Sequence, residues 1–91
     1  MKIVFRLHAV ERMFERRINE ADVARIIKDG KIIEAYPNDK PYPSYLALGY
    51  EEGTEQPIHV VYAVHADERI VITVYRPDPA KWNESFDKRV E

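Results

Sequence analysis

Five side chains able to move protons or hold an anion stand at related positions along this 91-residue sequence. His8, Arg12 and Arg16 are four residues apart, so on a helix they line up as one stripe. Two arginines one turn apart repel each other by roughly a few tenths of a kcal/mol on an isolated helix, and a bound anion would relieve that repulsion. The alternative is a solvated surface on which Glu11 and Glu15 interleave with the arginines. His59 and Tyr75 fall in two runs of alternating apolar residues, 58–65 and 69–75. If residues 66–68 form the loop between them, His65 faces Arg69 and His59 lies directly opposite Tyr75. An imidazole that titrates near neutrality beside a phenol is a candidate acid–base pair. The alternative for His59 is a partly buried strand histidine with a satisfied hydrogen bond, and for Tyr75 a packing role.

A metal site is a competing use of the histidines. His59 and His65 are six strand residues apart, about 20 Å, and cannot share one ion. Only His8 with one strand histidine could do so, and the sequence has no cysteine to complete the set. No resident metal and no cofactor is therefore expected. A glycine-rich phosphate loop, a nucleophile elbow and a paired-carboxylate motif are also missing, which leaves nucleotide hydrolysis and glycosidase chemistry without a foothold.

The elements that must position these residues follow from periodicity. Leu7, Val10, Met13 and Phe14 recur at helical spacing and predict a helix over residues 5–17. Asn19 is the candidate N-cap of a second helix, with Glu20 and Asp22 in its first turn and Val23, Ile26 and Ile27 as its buried stripe. Gly30 is read as its left-handed stop. Beyond it the period changes to two, and strands are predicted over 31–36, 44–50, 58–65 and 69–75. Their connections are too short for helical crossovers, so neighbouring strands run antiparallel. Pro77 and Pro79 end the last strand, and residues 80–89 read as a short helix with Trp82 and Phe86 on one face.

The expected fold class is thus α+β, one domain over residues 1–91. Two N-terminal helices pack on one face of a four-stranded antiparallel meander, and a short C-terminal helix follows. Its expected core is Leu7, Val10, Met13, Phe14, Val23, Ile26, Ile27, Ile58, Val60, Tyr62, Ile70, Ile72 and Val74, which leaves His59 and Tyr75 on the other face.

Composition narrows the classes. Apolar residues make up 45% and charged ones 33%, a balance that folds rather than staying disordered. No apolar run reaches the roughly 18 residues that span a bilayer, and charges interrupt the start of the chain where a signal peptide would be apolar. A cytoplasmic protein without membrane contact is expected. Charge is unevenly spread: residues 1–31 hold eight basic against five acidic side chains, residues 32–68 one against seven, and residues 69–91 five against four. With an overall charge of −2, the chain lacks the broad basic surface by which proteins bind DNA on their own, but a few focused phosphate contacts remain open to it.

The run HAVERMFERRINEADVARIIKDGKIIEAYPNDKPYPSYLALGYEEG, followed by IHVVYA and ITVYRPDPAKW, closely resembles the bacterial family filed as domain of unknown function 4258. The individual pieces are unspecific, whereas their joint order covers nearly the whole chain. The resemblance implies kinship with small toxins of the RelE and MqsR type, which are grouped with barnase-like, EndoU-like and colicin-like ribonucleases. It therefore implies a RelE-like fold, an RNA substrate and a zinc-finger antitoxin of the YgiT type as partner. The family's polar positions fall on His8, Arg12, Arg16, His59 and Tyr75. Arg76 stands where relatives carry glutamate and Arg17 where they carry glycine, and both changes add positive charge.

On that resemblance the expected activity is metal-independent cleavage of RNA by attack of a ribose 2′-hydroxyl on its neighbouring phosphate. His8, Arg12, His59 and Tyr75 are the expected catalytic set, with Arg16 and Arg76 on the phosphates. The competing expectation is a non-catalytic module that binds a protein through its open sheet face or edge strand. Catalysis by this set requires His8, Arg12, His59 and Tyr75 to converge in one accessible pocket, whereas a binding module would show a broad apolar patch there.

Overall fold

The computed structural model describes residues 1–90. Its elements in chain order are β1 (Lys2–Phe5), α1 (Leu7–Arg16), α2 (Glu20–Asp29), β2 (Lys31–Tyr36), β3 (Ser44–Tyr50), β4 (Pro57–His65) and β5 (Glu68–Tyr75). The five strands form one mixed sheet in the order β1-β5-β4-β3-β2. Strands β2 to β5 pair antiparallel, and β1 lies parallel to β5 with Val4 beside Ile70. The expected four-stranded, RelE-like antiparallel meander is corrected on that point. Residues 2–5, of which the expected first helix includes only Phe5, form a strand at the far edge of the sheet. Lys-Ile-Val-Phe is too short to announce a strand, and its parallel partner is contributed only by the last strand.

The C-terminal expectation is also corrected, because residues 80–89 are not helical. Trp82 and Arg89 instead form an isolated antiparallel bridge. The loop between them is held by Asn83, whose side-chain oxygen accepts from the Asp87 and Lys88 amides at 3.0 and 3.3 Å. An asparagine that bonds nearby backbone offers it an alternative to the helical ladder.

Asn19 caps α2 as expected, accepting from the Asp22 amide at 2.8 Å. Gly30 is not left-handed: its φ is −71°. It is glycine because a Cβ there would stand 2.5 Å from the Ile26 carbonyl oxygen and 2.8 Å from that of Leu48. The left-handed residue is Arg17, at φ 55°, where the chain turns out of α1. That geometry gives a physical reason for glycine at this position.

Both helices cover one sheet face. Ala9, Met13, Val23, Ile26 and Ile27 pack there on Ala47, Ile58, Val60, Tyr62, Val71 and Val74. Burial of each large aliphatic residue contributes about 1.5–3 kcal/mol, which holds the two layers together. Two parts of the expected core are displaced. Leu7, Val10 and Phe14 are exposed, Phe14 to 87%, since only the Ala9–Met13 side of α1 meets the sheet. In β5 the buried residues are Val71 and Val74, while Ile70 and Ile72 are only partly covered.

The cause of the second shift is a bulge. Opposite Val61 and Tyr62, β5 presents Thr73 and Val71, so Ile72 is extra and the alternation flips across it. The β4–β5 turn is also one residue shorter than expected, because His65 pairs with Glu68 rather than Arg69. The short turn and the bulge compensate, and His59 still lies opposite Tyr75.

Candidate functional site

Side chains alternate along β4, so His59, Val61, Ala63 and His65 point away from the helices. Pairing places Leu48, Leu46 and Ser44 of β3 beside the first three of these, and Glu34 and Tyr36 of β2 beside Leu46 and Ser44. Tyr75 and Thr73 complete the face from β5. The segment after Pro77 crosses this face, and Trp82 within it is buried.

His59 is fully buried. Its Nε2 lies 2.8 Å from the Phe86 carbonyl oxygen and its Nδ1 3.1 Å from the Tyr75 hydroxyl. A carbonyl oxygen can only accept, so the ring proton sits on Nε2 and the Tyr75 hydroxyl donates to Nδ1. The Trp82 ring meets the His59 ring edge-on, with centroids 4.5 Å apart. Burial holds the His59 pKa below the ordinary imidazole value, against the upward pull of the Phe86 bond and the Glu34 charge. Burial likewise raises that of Tyr75. The pair therefore stands neutral at pH 7, with an acceptor nitrogen behind a phenol.

Beside this pair is a second group. Arg89 donates to both Glu34 carboxylate oxygens, at 2.9 and 3.2 Å, and its guanidinium lies over the Trp82 ring, 4.7 Å from the centroid. The Tyr36 hydroxyl also donates to Glu34. The Arg89 bond lowers the Glu34 pKa, so the carboxylate is ionised at neutral pH, and the same bond raises that of Arg89. Burial and the neighbouring carboxylate raise Tyr36. Imidazole, two phenols, a carboxylate and a guanidinium thus share one side of the sheet.

The expected site residues divide between two places. His59 and Tyr75 are on the face just described. His8, Arg12 and Arg16 belong to α1, which packs on the opposite face through Ala9 and Met13. The structure does not bring His8 or Arg12 to His59, so the expected catalytic set of His8, Arg12, His59 and Tyr75 does not converge in one pocket. Arg12 pairs with Glu15 at 2.9 Å, and Arg16 donates to the Val74 carbonyl at 3.0 Å. Arg76 donates to the carbonyls of Arg16 and Arg17 at 3.2 and 3.3 Å and pairs with Glu51 at 3.0 Å. It closes the C-terminus of α1, where carbonyls lack helical partners. A cleft of about 760 Å³ between α2 and the 51–55 loop contains none of these residues; five carboxylates, Asp29, Glu51, Glu52, Glu55 and Asp87, line it against two cations, Arg25 and Lys31.

Sequence reasoning missed Glu34, Tyr36, Trp82 and Arg89 as members of the site. Glu34 and Tyr36, two apart in a predicted strand, were readable as one face. Nothing local marks Arg89, which arrives only through the path of the C-terminal segment. No group of three or more His, Cys, Asp or Glu side chains arranged to hold a metal occurs among the described residues. No helix among them is long and apolar enough to cross a membrane.

Fold and site together define an α+β domain with a covered histidine–tyrosine pair on the sheet face its helices leave free. Residues 5–76 match the family model described as Domain of unknown function (DUF4258), and the chain belongs to that family. The match ends at Arg76, so Trp82, Phe86 and Arg89 lie beyond it. Neither a curated protein nor a solved structure matches the chain.

Proposed function

We propose that this domain cleaves single-stranded RNA on the sheet face turned away from the helices, and that it does so as a toxin restrained by a partner protein. The observation that carries the reading is the grouping of Arg89, Glu34 and Tyr36 beside the Tyr75–His59 pair. Arg89, oriented by Glu34 and Tyr36, holds the scissile phosphate as an always-charged fork. Tyr75 takes the proton of the ribose 2′-hydroxyl while passing its own to His59 Nδ1. The 2′-oxygen bonds to phosphorus, the bond to the 5′-oxygen breaks, and that oxygen leaves with a proton from water. The products are a 2′,3′-cyclic phosphate and a 5′-hydroxyl. The imidazolium so formed has an acceptor for each N–H, Tyr75 and the Phe86 carbonyl, and the Glu34 charge beside it. His8, Arg12 and Arg16, on the helix side, take no part in the chemical step, so the reading rests on Arg89, Glu34 and Tyr36 with the Tyr75–His59 pair and not on the set expected from the sequence. A zinc-finger antitoxin of the type implied by the resemblance would act by covering this face.

The test is a DNA oligonucleotide with one ribose position, incubated with the protein in EDTA. Cutting is expected only after the ribose, with a cyclic phosphate end. Tyr75→Phe and Arg89→Ala are expected to slow it on the order of a hundredfold or more, and His8→Ala to leave it unchanged. Failure of the parent to cut any RNA, or parental rates in folded Tyr75→Phe, would overturn the reading. Growth arrest on induction, relieved by Tyr75→Phe, tests the toxin role.

A second reading has one observation behind it. Leu7, Val10 and Phe14 form an exposed apolar stripe on α1, 46–87% accessible, of the kind protein-binding helices present. A domain that binds a protein there and cuts nothing would keep full binding in Tyr75→Phe and lose it in Phe14→Ser.

A further inference from the structure

Tyr42 and His65 stack at the far end of the same sheet face, with ring centroids 4.2 Å apart and planes 22° from parallel. We propose that this pair is a stacking platform for a base of the RNA strand, several nucleotides from the cut, and so a binding site separate from the chemical one. The inference rests on the RNA reading above.

The placement follows from β4, where His65 shares the outward alternation of His59, Val61 and Ala63. Six strand residues separate the two histidines, about 20 Å. Stacked nucleotides advance about 3.4 Å along a strand, so no more than about six nucleotides separate the cut from the platform. Between the two ends stands Tyr36, opposite Ser44 and next but one to Ala63, with its ring partly exposed.

The platform is built in rather than incidental to a loose loop. The Val64 amide donates to the Pro43 carbonyl at 3.0 Å, and Ser44 Oγ donates to Asp39 at 2.6 Å, so the loop carrying Tyr42 is fastened to the end of β4. The His65 side chain is 52% exposed, which leaves ring surface open after the Tyr42 contact. Its Nδ1 lies 3.9 Å from Glu68, itself paired with Lys2, so the local acid is partly neutralised. Lys40, exposed in the loop that carries Tyr42, and Lys2, paired with Glu68, are cations available to the backbone of the strand. Stacking on aromatic rings is tolerant of base identity, since every base has a π-face.

The test measures binding by fluorescence anisotropy, independently of cutting. A fluorescein-labelled ten-nucleotide RNA, 2′-O-methylated throughout so that it cannot be cut, is measured for binding and an unmodified dinucleotide for cutting, on the full chain and on Tyr42→Ala, Tyr42→Phe and His65→Ala. Tyr42→Ala and His65→Ala are expected to weaken the ten-mer about tenfold or more and to leave cutting of the dinucleotide at the parental rate, while Tyr42→Phe, which keeps the ring, binds as the parent does. Replacing one base of the ten-mer with an abasic site is expected to reproduce the loss at a single position, and to add nothing in Tyr42→Ala. Equal ten-mer affinity in the parent and in both alanine variants would overturn the platform even if RNA is cut. Platform-dependent binding with no cutting would instead overturn the cleavage reading and leave the platform standing.

Discussion

Removal of one oxygen, by Tyr75→Phe, tests the geometry of the buried pair without reference to any activity. The phenylalanine ring fills the same space, so the loss falls on His59 Nδ1, which keeps no partner in a fully buried position. Tautomerisation offers no escape. Moving the proton to Nδ1 would turn the Nε2 lone pair on the Phe86 carbonyl oxygen only 2.8 Å away, and protonation would place a charge under Trp82. A buried acceptor left unmade costs about 1–3 kcal/mol. For a domain of this size each kcal/mol moves the melting midpoint by roughly 4–8 °C, so a drop of about 5–20 °C is expected. The assay is thermal and urea unfolding of a double-mutant cycle with His59→Phe. In that background nothing remains to be orphaned, and Tyr75→Phe is expected to be close to neutral, giving a coupling within the range of about 0.5–3 kcal/mol seen for touching residues. An equal cost in both backgrounds would show that the hydroxyl does not serve His59.

Three further outcomes follow from the structure. Because burial lowers the His59 pKa, the unfolded chain binds its proton more readily than the folded one. Stability is therefore complete above the unfolded value near 6.5 and falls by up to about 1.4 kcal/mol per pH unit below it, until the folded pKa is reached. Urea titrations from pH 7.5 to 5 should show this loss in the parent and not in His59→Phe. Gly49→Ala would put a Cβ 2.3 Å from Ile26 Cγ1, so a loss of about 1–3 kcal/mol is expected, shrinking in an Ile26→Ala background; additivity in unfolding would contradict the contact. Arg17→Gly relaxes a left-handed residue, and a gain of about 0.5–1 kcal/mol is expected, checked by urea midpoint, with a loss counting against the strain.

Period carried the middle of the fold and little at its ends. Asn19 and the stripe of Val23, Ile26 and Ile27 fixed α2 because cap and periodicity agree there. The pairing of His59 with Tyr75 was legible too, although its premises were not: a shorter turn and a bulge at Ile72 are separately invisible and cancel at that position. In α1 the apolar arc runs from Ala9 through Met13 and Val10 to Phe14 and Leu7, wider than the sheet can cover, so spacing alone could not say which half is buried. His8, Arg12 and Arg16 line up along one side of α1, but periodicity does not say which sheet face a helix joins. Trp82 and Phe86 are spaced as on a helix, yet Asn83 diverts the backbone between them.

The parallel pairing of β1 with β5 also sets when this chain can fold. The first strand of the sheet finds its place only beside its last, with Ile3 against Arg69 and Phe5 against Val71. Contacts so distant in sequence slow the search for the native state, and they arise only once β5 has left the ribosome. Until then Ile3, Val4 and Phe5 form an apolar strand without a neighbour, a segment open to aggregation or to capture by a chaperone. The helices and the β2–β4 meander can gather early, whereas completion of the sheet waits for β5.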